Sequence, residues 1–399
     1  MRSQQIVAFT GGIALASVFM VTAGRAEKVK DPRAGAGNDA VQLAVDKGLK
    51  WLVSVQGDDG GWGQDGGATS YIRKSERMES TGNDMANTAV AAEALLHAGN
   101  TPSSGPYKDS LARAVGFILQ HAEHSPADGL AITDLSGTQI QRKLGPYIDT
   151  FLTSKLLAEL DGRMGDAQLN ARVRRNLEKC VAKIEKNQMK DGSWNLAGGW
   201  APILGTSMAS QSLYMAHRKG VAVDQATVAK VEAYTEKTAS QAGGAGTGAG
   251  VGAGRGGMSA VTMSVEVSAA AAGVPLYKSA QELEQLTRTD KDRAKNAVRI
   301  GEINSQLADA RFSTGFGSIG GEEFFSYLNV SESLRRTGGP VWDKWNNETK
   351  TKILKTQNDD GTWAGHHCIT GRVAVTSAAI LNLLAERETE VVPASAKKR

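Results

Sequence analysis

The sequence predicts an all-α protein in which six helical hairpins close into an α6/α6 toroid. Three observations predict this fold. A Gln-turn-Trp segment occurs three times, each copy follows an amphipathic helical pattern, and each is followed by a helical pattern rich in small apolar residues. With 41% hydrophobic residues in a chain of 399, the sequence can also supply the large core that such a ring needs.

The three turns share one spacing. In each, Gln lies six residues before Trp, and an acidic residue and Gly lie between them, at Gln56–Trp62, Gln188–Trp194 and Gln357–Trp363. The Asp-Gly step ends a helix, because Gly accepts the left-handed backbone that a helix end requires. We expect Trp to fold back over the helix end as an apolar plug, and Gln to hydrogen-bond the last carbonyls of the helix or the loop.

The helices before and after each turn differ in character. Val41, Val45, Leu49 and Leu52 recur at helical spacing on an otherwise polar helix, which predicts an outer helix with one buried stripe. The segments that follow the turns, 88–99, 206–216 and 376–386, are nearly free of charge, which predicts inner helices buried on most sides.

Weaker copies complete the count of six hairpins. They comprise 106–122 with 146–160, 224–239 with 259–273, and helical segments in 277–310 with 320–336. The Gly-rich stretch 243–257 lacks Gly-Lys-Ser/Thr and follows no strand, so it is predicted to be a linker or lid rather than a phosphate loop. An open solenoid is the alternative to a ring, and buried small-residue inner helices favour closure.

The N-terminus is typical of an export signal. Arg2 precedes an apolar run, and Gly24-Arg25-Ala26 offers small residues for cleavage. The predicted organisation is a signal peptide at 1–26, a flexible leader at 27–38, the toroid at 39–388 and a disordered tail at 389–399. An exported protein, periplasmic or extracellular, follows. The alternative is an uncleaved anchor, and the membrane would be contacted only through this segment.

Charge and cysteine content exclude two classes of protein. Removing Arg2 and Arg25 with the signal lowers the net charge from +4 to about +2, which does not indicate a nucleic-acid partner. Cys180 and Cys368 are too few for a disulfide scaffold, although they could form one bridge in an oxidising compartment. Cys180 falls on the apolar stripe of an outer helix, so packing is its predicted role.

The Gln-x-x-x-Gly-x-Trp turns between paired helices resemble the repeats of squalene-hopene and oxidosqualene cyclases and the toroid of protein prenyltransferase β subunits. The resemblance extends over most of 39–388 and implies the terpenoid cyclase/prenyltransferase fold. It also implies a central cavity for an apolar, isoprenoid-type ligand. The Asp-x-Asp-Asp motif with which the cyclases protonate their substrate and the Asp-x-Cys zinc motif of the prenyltransferases are both absent from this sequence.

Parallel inner helices would gather their N-termini at one mouth of the ring, where helix dipoles favour acids. The candidate catalytic residues at these starts are Asp84, Glu322, Glu323 and His366. Each has a structural alternative: Asp84 and Glu322 could cap their helices, and a histidine could bond a carbonyl to close the last repeat.

Metal binding is a further hypothesis for the same mouth. His366, His367 and Cys368 offer imidazole and thiolate, the usual ligands of zinc, with a carboxylate as the third. Cys368 could instead act as a nucleophile with a histidine base, or pack as a small buried hydrophobic residue.

Three functions therefore remain open at this stage: an enzyme or carrier for an apolar small molecule, a non-catalytic scaffold for a protein partner, and a zinc-dependent transferase or hydrolase. Ligand binding would be favoured by side chains that line the cavity, for which the candidates are Tyr147, Asp149, Phe324, Phe325 and Tyr327. A centre filled by Ala and Leu would favour the scaffold.

Overall fold

A computed structural model describes residues 32–64, 82–194, 201–243, 279, 281–308, 320–365 and 369–387. All regular elements of this part of the chain are helices, and the only extended pairings in it are isolated bridges. The ring lies in a compact unit that spans Ala40–Arg399; of the remaining unit, Met1–Asp39, the structure describes the helical backbone at its end. The predicted all-α class is confirmed.

The helices alternate between outer and inner layers, as the sequence pattern predicts. The outer helices are α1 (Pro32–Ser54), α3 (Lys108–His124), α6 (Ala167–Lys186), α8 (Gln225–Gly243), α10 (Ala297–Ala308) and α12 (Gly339–Lys355). The inner helices are α2 (Met85–His97), α5 (Ile148–Leu160), α7 (Ala201–Arg218), α11 (Gly321–Thr337) and α13 (Arg372–Leu383). Two short helices, α4 (Gln139–Leu144) and α9 (Asp290–Lys295), lie in connections.

The first helix begins earlier than the sequence pattern indicates. α1 starts at Pro32, inside the segment 27–38 that was predicted to be a flexible leader. Proline is well suited to the first position of a helix, because its fixed φ is helical and its missing N–H has no partner there in any case. The Gly-rich stretch beyond 243, the predicted inner helix 259–273, the signal segment and the tail beyond 387 lie outside the described residues. No helix in the described part of the chain is both long and apolar enough to cross a membrane.

The inner helices close a ring. α2 packs against α5, α5 against α7, α11 against α13, and α13 returns to α2. α7 and α11 meet through Asn329, which lies 3.0 Å from Ser207 Oγ and accepts a 2.6 Å hydrogen bond from Gln211 Nε2. A toroid rather than an open solenoid is therefore confirmed.

The glutamine of each turn ties two neighbouring hairpins together. Gln357 Nε2 donates to Gly361 O at 2.9 Å within its own turn and to Ala44 O at 2.8 Å in α1. The other two glutamines make the same pair of bonds, Gln56 to Gly60 O and Ser110 O, and Gln188 to Gly192 O and Thr227 O. Because Ala44 belongs to the first hairpin and Gln357 to the last, this bond closes the chain into a circle.

The tryptophan of each turn joins its outer helix to its inner helix. Trp363 Nε1 donates to Ile353 O at 2.8 Å in α12, while its backbone N donates to Thr376 Oγ1 at 3.0 Å in α13. Trp62 and Trp194 repeat both bonds, and all three indoles are buried. The predicted plug is confirmed, with a threonine on the inner helix as a partner that the sequence pattern did not single out.

The glycine two residues before each tryptophan is required because its φ is positive and because a side chain there would collide with the neighbouring outer helix. Gly361 has φ +88°, and a Cβ there would lie 2.7 Å from Lys47 Cβ and 2.9 Å from Lys47 O in α1. We predict that Gly361→Ala destabilises the protein more than Gly99→Ala, whose φ is +90° with no atom within 4 Å of the added Cβ. Both variants incur roughly 1–2 kcal/mol for the left-handed backbone, and only Gly361→Ala adds about 1–3 kcal/mol of overpacking.

Urea unfolding of the two variants beside the wild type measures this difference. Equal losses in free energy of unfolding would show that the last turn does not press against the first outer helix.

Candidate functional site

The starts of the inner helices lie at one mouth, here called the N-terminal mouth, and their carboxylates make structural bonds there. Asp84 is the N-cap of α2: its Oδ1 accepts from Asn87 N at 2.8 Å and its Oδ2 from Asn87 Nδ2 at 2.7 Å. Burial raises the pKa of Asp84, against the hydrogen bonds from Asn87. The capping interpretation of Asp84 thus accounts for its contacts.

Asp149 links three helices at the same mouth. Its Oδ1 accepts from Ala86 N at 3.1 Å in α2, and its Oδ2 accepts from Gln141 Nε2 at 2.7 Å in α4. Burial raises the pKa of Asp149 to about 7, with a further contribution from the nearby carboxylate of Asp84, although the bond from Gln141 opposes the shift. Near neutral pH this carboxyl group therefore exists in both protonation states.

The two acids at the start of α11 point to different neighbours. Ile369 N lies 3.4 Å from Glu322 Oε2, so Glu322 reaches the segment that precedes α13. Glu323 Oε2 lies 3.4 Å from Tyr327 Oη, and Lys352 of α12 also donates to that hydroxyl. Burial, reinforced by the charge of Glu323, raises the pKa of Tyr327.

His366, His367 and Cys368 lie outside the described residues, so their metal and catalytic roles stay predictions. The residues on either side of them are described. Gly365 and Ile369 both adjoin the start of α11, where a Cβ on Gly365 would meet Gly321 N at 2.4 Å. Cys180, in contrast, is fully buried, and burial raises its thiol pKa to about 12, which confirms packing as its role.

The ring axis holds a small cavity of about 20 Å³, and each inner helix described contributes to its walls. Its lining comprises Val90, Glu93, Leu152, Lys155, Met208, Gln211, Phe325, Leu328, Asn329, Glu332 and Leu381. Of the five side chains predicted to line a cavity, Phe325 is the one that does so here. Tyr327 packs edge-on against Trp345 of α12, with ring centroids 6.0 Å apart, and so turns away from the axis.

Tyr147, Asp149 and Phe324 also do not line the described cavities. Tyr147 is half-buried at the start of α5 without a side-chain capping bond, and Asp149 is engaged as described above. The sequence alone could not select the lining side chains, because the rotation of each helix about its own axis decides which side chain faces the ring axis, and sequence spacing does not fix that rotation.

The opposite mouth, formed by the C-terminal ends of the inner helices, carries a larger cavity of about 90 Å³. We call it the C-terminal mouth. Cationic side chains outnumber acids in its lining, which comprises His97, Lys155, Glu159, Gln211, Tyr214, Met215, Arg218, Leu328, Glu332, Arg335, Arg336, Leu381, Ala385 and Arg387.

A buried ion network lies between this mouth and the axis. Lys155 Nζ is 2.8 Å from Glu93 Oε1 and 2.6 Å from Glu332 Oε1, and it joins α5 to α2 and α11. His97 Nε2 is 2.8 Å from Glu159 Oε2 and 3.9 Å from Glu93 Oε1. Removing one partner from such a network leaves a buried charge uncompensated, which typically costs about 3–5 kcal/mol.

The network also sets the charge states of its members. Burial alone would lower the pKa of Lys155 and of His97. For Lys155 the negative charges of Glu332 and Glu93 outweigh burial, and its pKa is raised. For His97 the negative charge of Glu159 outweighs burial, and its pKa is raised as well. Burial would raise the pKa of Glu159, and the charge of His97 lowers it instead. For Glu93 the effect of burial is larger than the opposing effect of the positive charge of Lys155, and its pKa is raised.

A second ion network borders the same mouth. Glu284 pairs with Arg288 at 3.0 Å and with Arg336 at 2.8 Å, and both guanidinium groups lie over the ring of Tyr214, at 5.0 and 5.4 Å from its centroid. These residues were not among the predicted site residues. The pair Arg335 and Arg336 in the last turn of α11 is the sequence signal that could have indicated this end of the ring.

Comparison with known proteins bears on the fold of these residues. A family model described as the squalene-hopene cyclase C-terminal domain matches residues 29–129, which include the first Gln–Trp turn and helices α1 to α3. The resemblance to the terpenoid cyclase superfamily is confirmed over these residues. No curated protein matches the chain.

Solved structures of one enzyme are also similar to this chain. The apo type II terpene cyclase MstE from Scytonema is 12% identical over 87% of this chain and 98% of its own, with a TM-score of 0.33. A variant of that enzyme holding geranylgeranyl dihydroxybenzoate as substrate is 11% identical over 88% of this chain and 98% of its own, with a TM-score of 0.34.

The pKa of Asp149 predicts a pH dependence of stability. Because the folded pKa of about 7 exceeds the ordinary aspartate pKa of 3.8, the folded state binds the extra proton, and stability falls as pH rises from about 4 to 7. This difference in pKa corresponds to a loss of roughly 4 kcal/mol in the free energy of unfolding. We predict that Asp149→Asn, which stays neutral and keeps an acceptor for Ala86 N, flattens this slope.

Urea unfolding at pH 4, 5.5 and 7.5 measures the slope of stability against pH, with a variant of the exposed Asp109, Asp109→Asn, as control. A slope in Asp149→Asn as steep as that of the wild type would contradict the assignment.

Proposed function

We propose that the chain binds an apolar, isoprenoid-type molecule that enters the ring through the C-terminal mouth. The observation that supports this proposal most directly is the adjacency of the two cavities. They share five lining residues, Lys155, Gln211, Leu328, Glu332 and Leu381, and a path from the surface to the axis would run between these side chains.

The chemistry along this path suits a molecule with one polar end. Deeper in the ring, Val90, Leu152, Met208 and Phe325 from four inner helices make one part of the wall apolar, beside the side chains of the ion network. At the mouth, Arg218 and Arg335 line the cavity, and no ion-pair partner for either is found among the described residues. An apolar tail would therefore lie along the axis, and a polar or anionic end would lie at the mouth.

The cavity volumes set a requirement on binding. Ligand pockets commonly measure about 300–1,000 Å³, whereas the described cavities measure about 90 and 20 Å³. A ligand tail would have to displace side chains along the path. Met208 lines the axial cavity and Met215 the C-terminal mouth, and both are unbranched and adapt readily to new packing.

The proposal is for binding rather than cyclisation. The sequence lacks the acid motif of the cyclases, and the carboxylates that line the described path are engaged by Lys155 and His97.

We also propose that the protein is exported to the periplasm or the cell exterior. The composition of residues 1–26, a positive charge followed by an apolar run, supports this location.

A protein-interaction scaffold is the second candidate. It is favoured by the narrowness of the axis, where Leu328, Leu152 and Leu381 leave a cavity of only about 20 Å³. In that case the ring would be a rigid support, and its partner would bind the outer helices or a rim.

A bulky side chain on the shared wall separates the two candidates. We predict that Leu328→Trp weakens binding of farnesol, a C15 isoprenoid alcohol, by about tenfold or more, which corresponds to at least 1.4 kcal/mol. Leu43→Trp, at a position 58% exposed on α1, is the matched control and should bind like the wild type. Titration calorimetry gives the affinities, and mass spectrometry of a solvent extract of the purified protein shows whether a lipid is already bound.

Ala385→Phe, at the mouth, provides a second block if Leu328→Trp does not fold. Absence of farnesol binding and of extracted lipid in the wild type would favour the scaffold, and binding unchanged in both blocked variants would contradict the path.

A further inference from the structure

Independently of the isoprenoid proposal, we propose that Glu93, His97 and Glu159 form a divalent metal site at the C-terminal mouth, with zinc as the ion that fits best. This site lies at the opposite end of the inner helices from the N-terminal mouth, where a metal site is predicted from the sequence. Imidazole nitrogen and carboxylate oxygen are both common zinc ligands, and three protein ligands with one open position are typical of reactive zinc sites.

The donor atoms already lie together. One ligand atom from each residue is within 4.8 Å of the other two, and His97 Nε2 lies 2.8 Å from Glu159 Oε2 and 3.9 Å from Glu93 Oε1. Zinc binds nitrogen and oxygen at about 2.0–2.2 Å, which places tetrahedral ligands roughly 3.3 Å apart. The two distances from His97 Nε2 would each change by about half an ångström, and the separation of the Glu93 and Glu159 oxygens, at most 4.8 Å, would shorten by at most about 1.5 Å.

Two adjacent helices hold the three side chains in place. Glu93 and His97 are four residues apart on α2 and so share one face of that helix. Glu159 lies on α5, which packs directly against α2 in the ring. Because both helices belong to the buried inner layer, the ligands are pre-positioned rather than carried by a loop.

The charges around Glu93 supply a second observation. Glu93 is 1% exposed, and its Oε1 pairs with Lys155 Nζ at 2.8 Å, while the same ammonium pairs with Glu332 Oε1 at 2.6 Å. Three carboxylates, those of Glu93, Glu159 and Glu332, therefore face one lysine and one histidine. A divalent cation between Glu93 and His97 would balance the remaining negative charge.

The site also has an entrance and an open position. His97 and Glu159 both line the cavity of about 90 Å³ at the C-terminal mouth. A metal bound to them would face that cavity, so that its fourth ligand would be water or a polar group of a small molecule. The rival interpretation is a plain ion network, in which His97 carries a proton between the two glutamates.

Metal titration distinguishes these interpretations. Purified protein, stripped with chelator and dialysed, is titrated with Zn²⁺ by calorimetry and with Co²⁺ by absorption spectroscopy. We expect one equivalent that binds about 100-fold or more weakly in His97→Gln and in Glu159→Gln, with Co²⁺ bands of nitrogen and oxygen ligands. Glu332→Gln, which alters the network without removing a proposed ligand, should retain binding, as should His121→Gln on α3.

Cys368→Ala separates this site from the one predicted at the other mouth. The proposal requires zinc to be retained in Cys368→Ala and lost in His97→Gln, with circular dichroism verifying the fold of each variant. It is overturned if the wild type binds no zinc, if His97→Gln and Glu159→Gln bind it as well as the wild type, or if the Co²⁺ complex shows a thiolate charge-transfer band that Cys368→Ala abolishes.

Discussion

The ring depends on one recurring contact, the turn in which Gln, Gly and Trp together bind three helices. Trp joins the outer and inner helices of its own hairpin, while Gln reaches a backbone carbonyl of the next outer helix. Gly lets these helices approach, since a side chain there would collide with the neighbour's backbone. In the last turn that neighbour is α1, so the same local device that connects adjacent hairpins also joins the end of the domain to its beginning.

Closure gives the ring two chemically different mouths. At the N-terminal mouth, Asp84 and Asp149 bind backbone amides of α2, which suits carboxylates near the positive ends of helices. At the C-terminal mouth, Lys155 and His97 hold carboxylates from three inner helices in a buried network beside an open cavity. The first mouth is thus devoted largely to holding helices together, whereas the second offers charge, an apolar path and access.

The sequence predicts the parts of the structure that depend on neighbouring residues. Helical spacing and the uncharged inner helices are local features, and they predict the hairpins within a few residues. The expectation that the turn glycine ends the outer helix was wrong, because each outer helix ends six residues before Gly60, Gly192 or Gly361. The ion network at the C-terminal mouth depends instead on residues that are far apart in the sequence. Lys155 and Glu332 are 177 residues apart, and closure of the ring brings them together. Likewise, packing of Tyr327 on Trp345 fixes the rotation of α11, so Phe325 rather than Tyr327 faces the axis.

Hydrogen exchange after breaking one turn tests the closed ring most directly. In Gln357→Ala, the last hairpin loses its bond to Ala44, and the closed ring predicts faster amide exchange in α1 as well as in α12. Gln188→Ala removes the equivalent bond inside the ring and should leave exchange in α1 unchanged. Exchange in Gln357→Ala that accelerates only in α12 and its turn, with α1 as protected as in the wild type, would contradict the account.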